Sequence, residues 1–156
     1  QGERAESWAG IRAALMPGNR RATVRRNTRE TDIFAAVELD DPSHVEVGTG
    51  IGFYDHMLEQ VARHGGFGLT LRCSGDLDVD EHHTVEDTAI CLGQALREAL
   101  GDKKGIARYG FLLPMDESQA RVTLDLSGRA AFRFRGKFTR DNVGGLPTEL
   151  VPHFFE

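Results

Sequence analysis

The stretch His83-Thr84-Val85-Glu86-Asp87-Thr88-Ala89-Ile90-Cys91-Leu92-Gly93-Gln94-Ala95-Leu96-Arg97-Glu98-Ala99-Leu100 gathers Val85, Ala89, Leu92, Leu96, Ala99 and Leu100 into one broad apolar stripe. Recurrence at three- and four-residue intervals is the period of a helix with one buried face. Gly101 stands where a C-terminal cap belongs. Upstream, Phe67 to Cys73 alternates as a strand does, and Phe53 to His64 returns to helical spacing with Met57, Leu58, Val61 and Ala62 on one side. Gly65-Gly66 ends that helix. Further back, Ala22 to Asp40 alternates again, offering Ala22, Val24, Ile33, Ala35, Val37 and Leu39 to one face. Downstream, Val122 to Leu126 and Ala131 to Phe138 read as strands joined by the turn Ser127-Gly128-Arg129, after which the chain approaches another helix. Strands interspersed with helices make this an α+β chain.

The 156 residues carry 19 Lys+Arg against 24 Asp+Glu, a net charge of −5, and 40% are hydrophobic. That suits one soluble domain, or two small halves sharing a core. The longest unbroken apolar run, Ile33 to Val37, is far below the roughly 20 residues a membrane-spanning helix needs. An acidic balance without a basic block argues against nucleic-acid binding, which depends on clustered Lys and Arg. Cys73 and Cys91 form no CxxC pair and read as small core residues of a reducing, cytoplasmic protein. Residues 1 to 20 carry Trp8, Ile11 and Leu15 at helical spacing and break at Met16-Pro17-Gly18-Asn19, as a linker and the end of a preceding domain would.

An internal echo links Tyr54-Asp55-His56-Met57-Leu58-Glu59 to Val151-Pro152-His153-Phe154-Phe155-Glu156. It suggests duplicated halves, residues 21–113 and 114–156, with the second incomplete.

Chemistry concentrates in Asp80-Glu81-His82-His83-Thr84-Val85-Glu86-Asp87. On a helix His83 and Glu86 are three apart and His82 and Glu86 four apart, so imidazole and carboxylate can share one side. Successive helical side chains diverge by about 100°, so His82 and His83 suit two metal centres, or a bridge between surfaces, rather than one ion. The helix N-terminus disfavours protonation of both rings, leaving them neutral as a metal requires. Two solvated histidines in an acidic loop are the plain alternative. Asp76, Asp78, Asp80 and Glu81 read either as orienters of the rings or as solvated charge, the latter favoured for Asp76 and Asp78. Gly48-Thr49-Gly50-Ile51-Gly52 before His56 is either a phosphate corner at a helix N-terminus or, as favoured, a tight turn. His64 is open between capping and substrate contact, and His44 reads as surface. Arg108 and Arg129 could fork onto a phosphate, and Glu30 could move a proton. Each has an ordinary surface reading beside it.

At these residues the sequence resembles imidazoleglycerol-phosphate dehydratase. The matching segments include Arg26-Asn27-Thr28-Arg29-Glu30-Thr31, Thr49 through Leu58, Asp80 through Asp87, Asp125-Leu126-Ser127-Gly128-Arg129 and His153-Phe154-Phe155. The lead-in looks like the end of the histidinol-phosphatase half of the bifunctional bacterial form. The resemblance implies a two-layer fold of duplicated sheet-plus-helices halves, ribosomal protein S5 domain 2-like. It implies two manganese ions, with His56, His82, His83, Glu86 and His153 at ligand positions. Glu30 and Glu86 fall at catalytic positions, and Glu30, Gln60, His64, Arg108 and Arg129 at substrate-binding ones. Family members form homo-oligomers, trimers and then 24-mers, with sites completed between subunits. The implied reaction is dehydration of imidazole glycerol phosphate to imidazole acetol phosphate in histidine biosynthesis, Lewis-acid metals gripping the ring while a carboxylate moves a side-chain proton. The family's second His-His-x-x-Glu segment is expected beyond Glu156, leaving this chain short of a full metal set. A metal-dependent hydrolase and a non-catalytic assembly module are the competing readings.

Overall fold

The computed structural model describes residues 20–103, 106–107 and 109–156. The expected helix around Trp8, Ile11 and Leu15, and Arg108, lie outside these. Four strands, β1 (Arg21–Asn27), β2 (Thr31–Glu38), β3 (Val45–Gly48) and β4 (Gly68–Gly75), form a sheet in the order β1-β2-β4-β3. The β1/β2 and β2/β4 pairs are antiparallel, whereas β3 runs parallel to β4. A parallel neighbour needs a crossover, and helix α1 (Gly52–Gly65) supplies it.

Register explains the core. Val24, Ala35, Leu71 and Val47 are paired in one row across the sheet. Side chains directly opposite on neighbouring strands share a face, and the two central members, Ala35 and Leu71, are fully buried. Helix α2 (His82–Leu100) covers this face over β1 and β2, and α1 covers it over β3. The chain is thus a mixed α+β structure with its helices on one side of the sheet.

Both helices form where the apolar period places them, but both sit rotated from the expected phase. In α1 the buried row is Tyr54, Leu58 and Ala62, while Met57 and Val61 are 43% and 44% exposed. Met57 is turned about 100° and Val61 about 60° from Leu58, and the sheet accommodates the row that carries Tyr54. In α2 the buried set contains Val85, Leu92 and Ala99 as expected, but also Thr84, Asp87 and Thr88, while Ala89, Leu96 and Leu100 are half-buried. Asp87 enters that face because Arg26 and Thr31 hydrogen-bond its carboxylate, whereas Thr84 and Thr88 enter it as small side chains whose hydroxyls have no hydrogen-bond partner among the described residues; hydropathy registers neither. Gly66 ends α1 with φ 71°, the left-handed conformation glycine adopts without strain.

The later part of the chain departs further from expectation. Strand β6 (Ser118–Asp125) pairs backwards with β5 (Tyr109–Met115), and Ala131 to Phe138 form no strand. Alternation there does not mark a buried face, because β6 is exposed along its whole length. Phe134 instead stacks on Phe138 with ring centroids 5.9 Å apart, and Phe132 stacks on Phe155 at 6.1 Å. A short ladder of β7 (Asn142–Val143) and β8 (Leu146–Pro147) leads to α3 (Leu150–Phe155). Thr148 fixes this corner, donating its backbone N–H to the Asp141 carbonyl at 2.8 Å and its hydroxyl to the Arg140 carbonyl at 2.9 Å. Leu146 and Leu150 then join the same core as the first sheet.

At the open end of the β1–β2 hairpin, Arg20 Nη2 lies 2.6 Å from Asp40 Oδ1, and the Leu39 N–H donates to the Arg20 carbonyl. The Arg20 hydrogen bonds hold the Asp40 carboxyl below the usual carboxylate range. A depressed folded value means stability present above the unfolded pKa of about 4 and lost as pH falls through the folded one. Asp40→Asn is therefore expected to cost at most about 1 kcal/mol at neutral pH, since water and salt screen the pair. Urea midpoints of the two proteins should draw together as pH falls below about 4.

Candidate functional site

The first turn of α2 is set by two local devices. The Asp80 carboxylate accepts the His82 N–H at 2.6 Å, a side-chain cap before the helix proper. Gly75, the last residue of β4, lets the Thr84 side chain lie against its Cα. Asp80 is thus a cap, which neither reading of the acidic loop anticipated.

From this turn the two histidines leave in different directions, their ring planes at 88° with centroids 6.2 Å apart. His82 Nε2 lies 3.8 Å from Glu86 Oε2, and its ring centroid is 5.4 Å from that of His153 on α3. His153 Nδ1 is in turn 3.8 Å from Glu156 Oε2. His83 faces the other way, with Nδ1 3.2 Å from Asp76 Oδ2 and the Glu30 charge close by. The Asp76 hydrogen bond and the neighbouring carboxylates raise the His83 pKa. That reverses the expected effect of the helix N-terminus, because a carboxylate in contact outweighs the fractional charge of the helix. It also corrects the favoured reading of Asp76 as solvated charge. Asp78 is exposed, as expected.

The remaining expected residues stand apart. His56 is exposed on α1 beside Phe53, with ring centroids 6.4 Å apart, and no contact joins it to His82, His83 or His153. Gln60 and His64 follow it at four-residue steps on the same helix, His64 in the last turn. Arg129 is exposed in the loop after β6, its N–H directed to Ser127 Oγ at 3.4 Å. Among the described residues no three His, Cys, Asp or Glu side chains converge closely enough to hold an ion. The five expected ligands are therefore not gathered into one site within this chain.

The glycine-rich turn before α1 is a turn and not an anion corner. Gly50 has φ 88°, and the Asp55 carboxylate takes the Thr49 N–H at 2.8 Å together with the Thr49 hydroxyl. An anion would meet that fixed negative charge.

Asp87 went unnoticed in the sequence as a contributor to this region. It is buried, one helical turn after His83, and bonded to Arg26 and Thr31. The one signal was its place in the acidic segment, on the face next to Glu86.

A family model for imidazoleglycerol-phosphate dehydratase matches residues 49–156. The chain belongs to the imidazoleglycerol-phosphate dehydratase family. The histidine biosynthesis bifunctional protein HisB of Stenotrophomonas maltophilia is 57% identical over 148 residues, covering 95% of this chain and 42% of that protein. HisB of Legionella pneumophila is 54% identical over 150 residues, covering 96% and 43%. This chain thus spans less than half the length of these relatives. Among solved structures, the imidazoleglycerol-phosphate dehydratase of Staphylococcus aureus superposes with a TM-score of 0.72 at 38% identity, covering 86% of this chain and 74% of that one. Within the dehydratase family frame, the divergent histidines and their carboxylates become the candidate site. Among the described residues no helix is long and apolar enough to cross a membrane.

Proposed function

We propose that this chain provides part of a metal-dependent dehydratase centre converting imidazole glycerol phosphate to imidazole acetol phosphate in histidine biosynthesis. The observation that carries the reading is that His82 and His83, with ring centroids 6.2 Å apart, face separate carboxylates, Glu86 and Asp76. Family membership supports the reaction class.

The donor set fits manganese. Imidazoles and carboxylates without a thiolate suit such an ion, and Asp76 on His83 Nδ1 leaves Nε2 free to ligate, the usual carboxylate–histidine arrangement. His82 with Glu86 would serve one ion and His83 another, each set completed by ligands such as His56 and His153 where surfaces of separate chains meet. That His56 stands away from the other histidines supports a homo-oligomer, the trimers and 24-mers expected of the family. Bound manganese would supply Lewis acidity to the two nitrogens of the substrate ring.

The protein's own groups do the rest. Glu30, half-buried beside His83, is placed to accept and return a side-chain proton. Arg129 and Arg108 carry permanent charge suited to the phosphate, and Gln60 and His64 line the helix that bears His56.

Manganese titration separates two ions from one. His82→Ala and His83→Ala are each expected to lose part of the bound metal, and the double variant all of it. Loss of all metal from either single variant would show one shared ion. A manganese-loaded protein that leaves imidazole glycerol phosphate unchanged would overturn the proposed reaction.

A further inference from the structure

We infer that Asp87 is a positioning residue that fixes the Glu30 turn and the rotation of α2, and so sets Glu30 against His83. The inference rests on the reading of Glu30 and His83 as functional groups.

Asp87 is 7% exposed, and a buried carboxylate is tolerated only when its oxygens are fully used. Here they are. Oδ1 accepts Arg26 Nε and faces Nη2, both at 2.8 Å. Oδ2 accepts the Thr31 hydroxyl at 2.7 Å, with the Thr28 hydroxyl at 3.4 Å. The two hydroxyls lie 3.0 Å apart, so Thr28 can donate to Thr31 while Thr31 donates to Asp87. Thr28 Oγ1 in turn accepts the N–H of Glu30 at 3.2 Å and of Thr31 at 3.0 Å. The backbone that carries Glu30 therefore hangs, through two threonines, from one side chain of α2.

The same side chain governs the histidines. His83 and Asp87 are four apart and share one row of the helix, and His82 and Glu86 share the adjacent row. Pinning Asp87 to β1 and β2 fixes which row faces the Glu30 turn and which faces His153. An apolar residue of similar volume would fill the space without desolvating a charge, but would hold neither the turn nor the rotation.

Amide hydrogen exchange on the folded chain tests this without any metal or substrate. Asp87→Asn keeps the shape and removes the charge, and is expected to speed exchange at Glu30 and Thr31 about tenfold or more, with Leu58 and Leu71 unchanged. Thr28→Val, which leaves the Arg26–Asp87 pair intact, should do the same if Asp87→Asn folds poorly, and Thr28→Ser should restore protection. Unchanged Glu30 and Thr31 amides in folded Thr28→Val, or uniform acceleration throughout the chain, would overturn the inference. Selective acceleration in a protein whose dehydratase kcat does not fall would instead remove Glu30 from the mechanism while leaving the anchoring established.

Discussion

Tyr54→Ala is expected to destabilise the chain by about 3–5 kcal/mol, the range for truncating a buried aromatic, and to release α3 from α2. Tyr54 is 4% exposed and is the residue at which all three helices meet. Its hydroxyl donates to the Val85 carbonyl on α2 at 3.3 Å, and its ring meets the edge of Phe154 on α3 at 5.8 Å and 81°. Burial raises the phenol pKa well above its ordinary value, so the group remains a donor throughout the working pH range. Tyr54→Phe removes only the hydroxyl, and should cost about 1 kcal/mol. The two effects separate by urea midpoint, and the release of α3 by protease cleavage near Phe154. Equal costs for the two variants would show that the ring does not hold the junction. The consequence for the site is direct, because His153 reaches His82 only while α3 stays docked.

That dependence shows why the candidate site was only partly legible in the sequence. The divergence of His82 and His83 follows from helix geometry alone, so it could be read from two adjacent letters. The approach of His153 to His82 depends on Tyr54, Phe154 and Leu150 packing across the core, which no local spacing encodes. His153 was nevertheless singled out, by its echo of His56. Asp76 lies seven residues before His83, outside any helical interval, and its hydrogen bond exists because β4 ends where α2 begins. Among the elements, β1, β2, β4, α1 and α2 were legible because each pairs a clear period with a glycine or turn at its end. The phase of α1 was not, because Met57 and Val61 are as apolar as the residues that replace them in the core. Ala131 to Phe138 misled for a related reason. Alternating phenylalanines satisfy the strand pattern, but stacking on one another and on Phe155 competes with it, and among the described residues no strand pairs with them.

Gly75→Ala is expected to cost about 3 kcal/mol, the upper end for overpacking a tight interior, and to displace the turn that bears both histidines. A Cβ at Gly75 would fall on the Thr84 hydroxyl and within 3.2 Å of Thr84 Cβ. Thr84 cannot yield easily, being fully buried and β-branched on a helix, where its χ1 choices are few. Nor can α2 rotate away, since Asp87 one turn later is held by Arg26 and Thr31. The strain must therefore lift the first turn, carrying His82 and His83 from Glu86, His153 and Asp76. Thr84 itself offers the control. Its hydroxyl has the Cys73 thiol as a polar neighbour but makes no hydrogen bond of good geometry, so Thr84→Ala alone should cost less than about 1 kcal/mol. Combined with Gly75→Ala it should recover at least half of the lost stability, a coupling that a double-mutant cycle of urea midpoints measures. Additive costs would mean that the close approach of β4 to α2 is not what sets the position of the histidine turn.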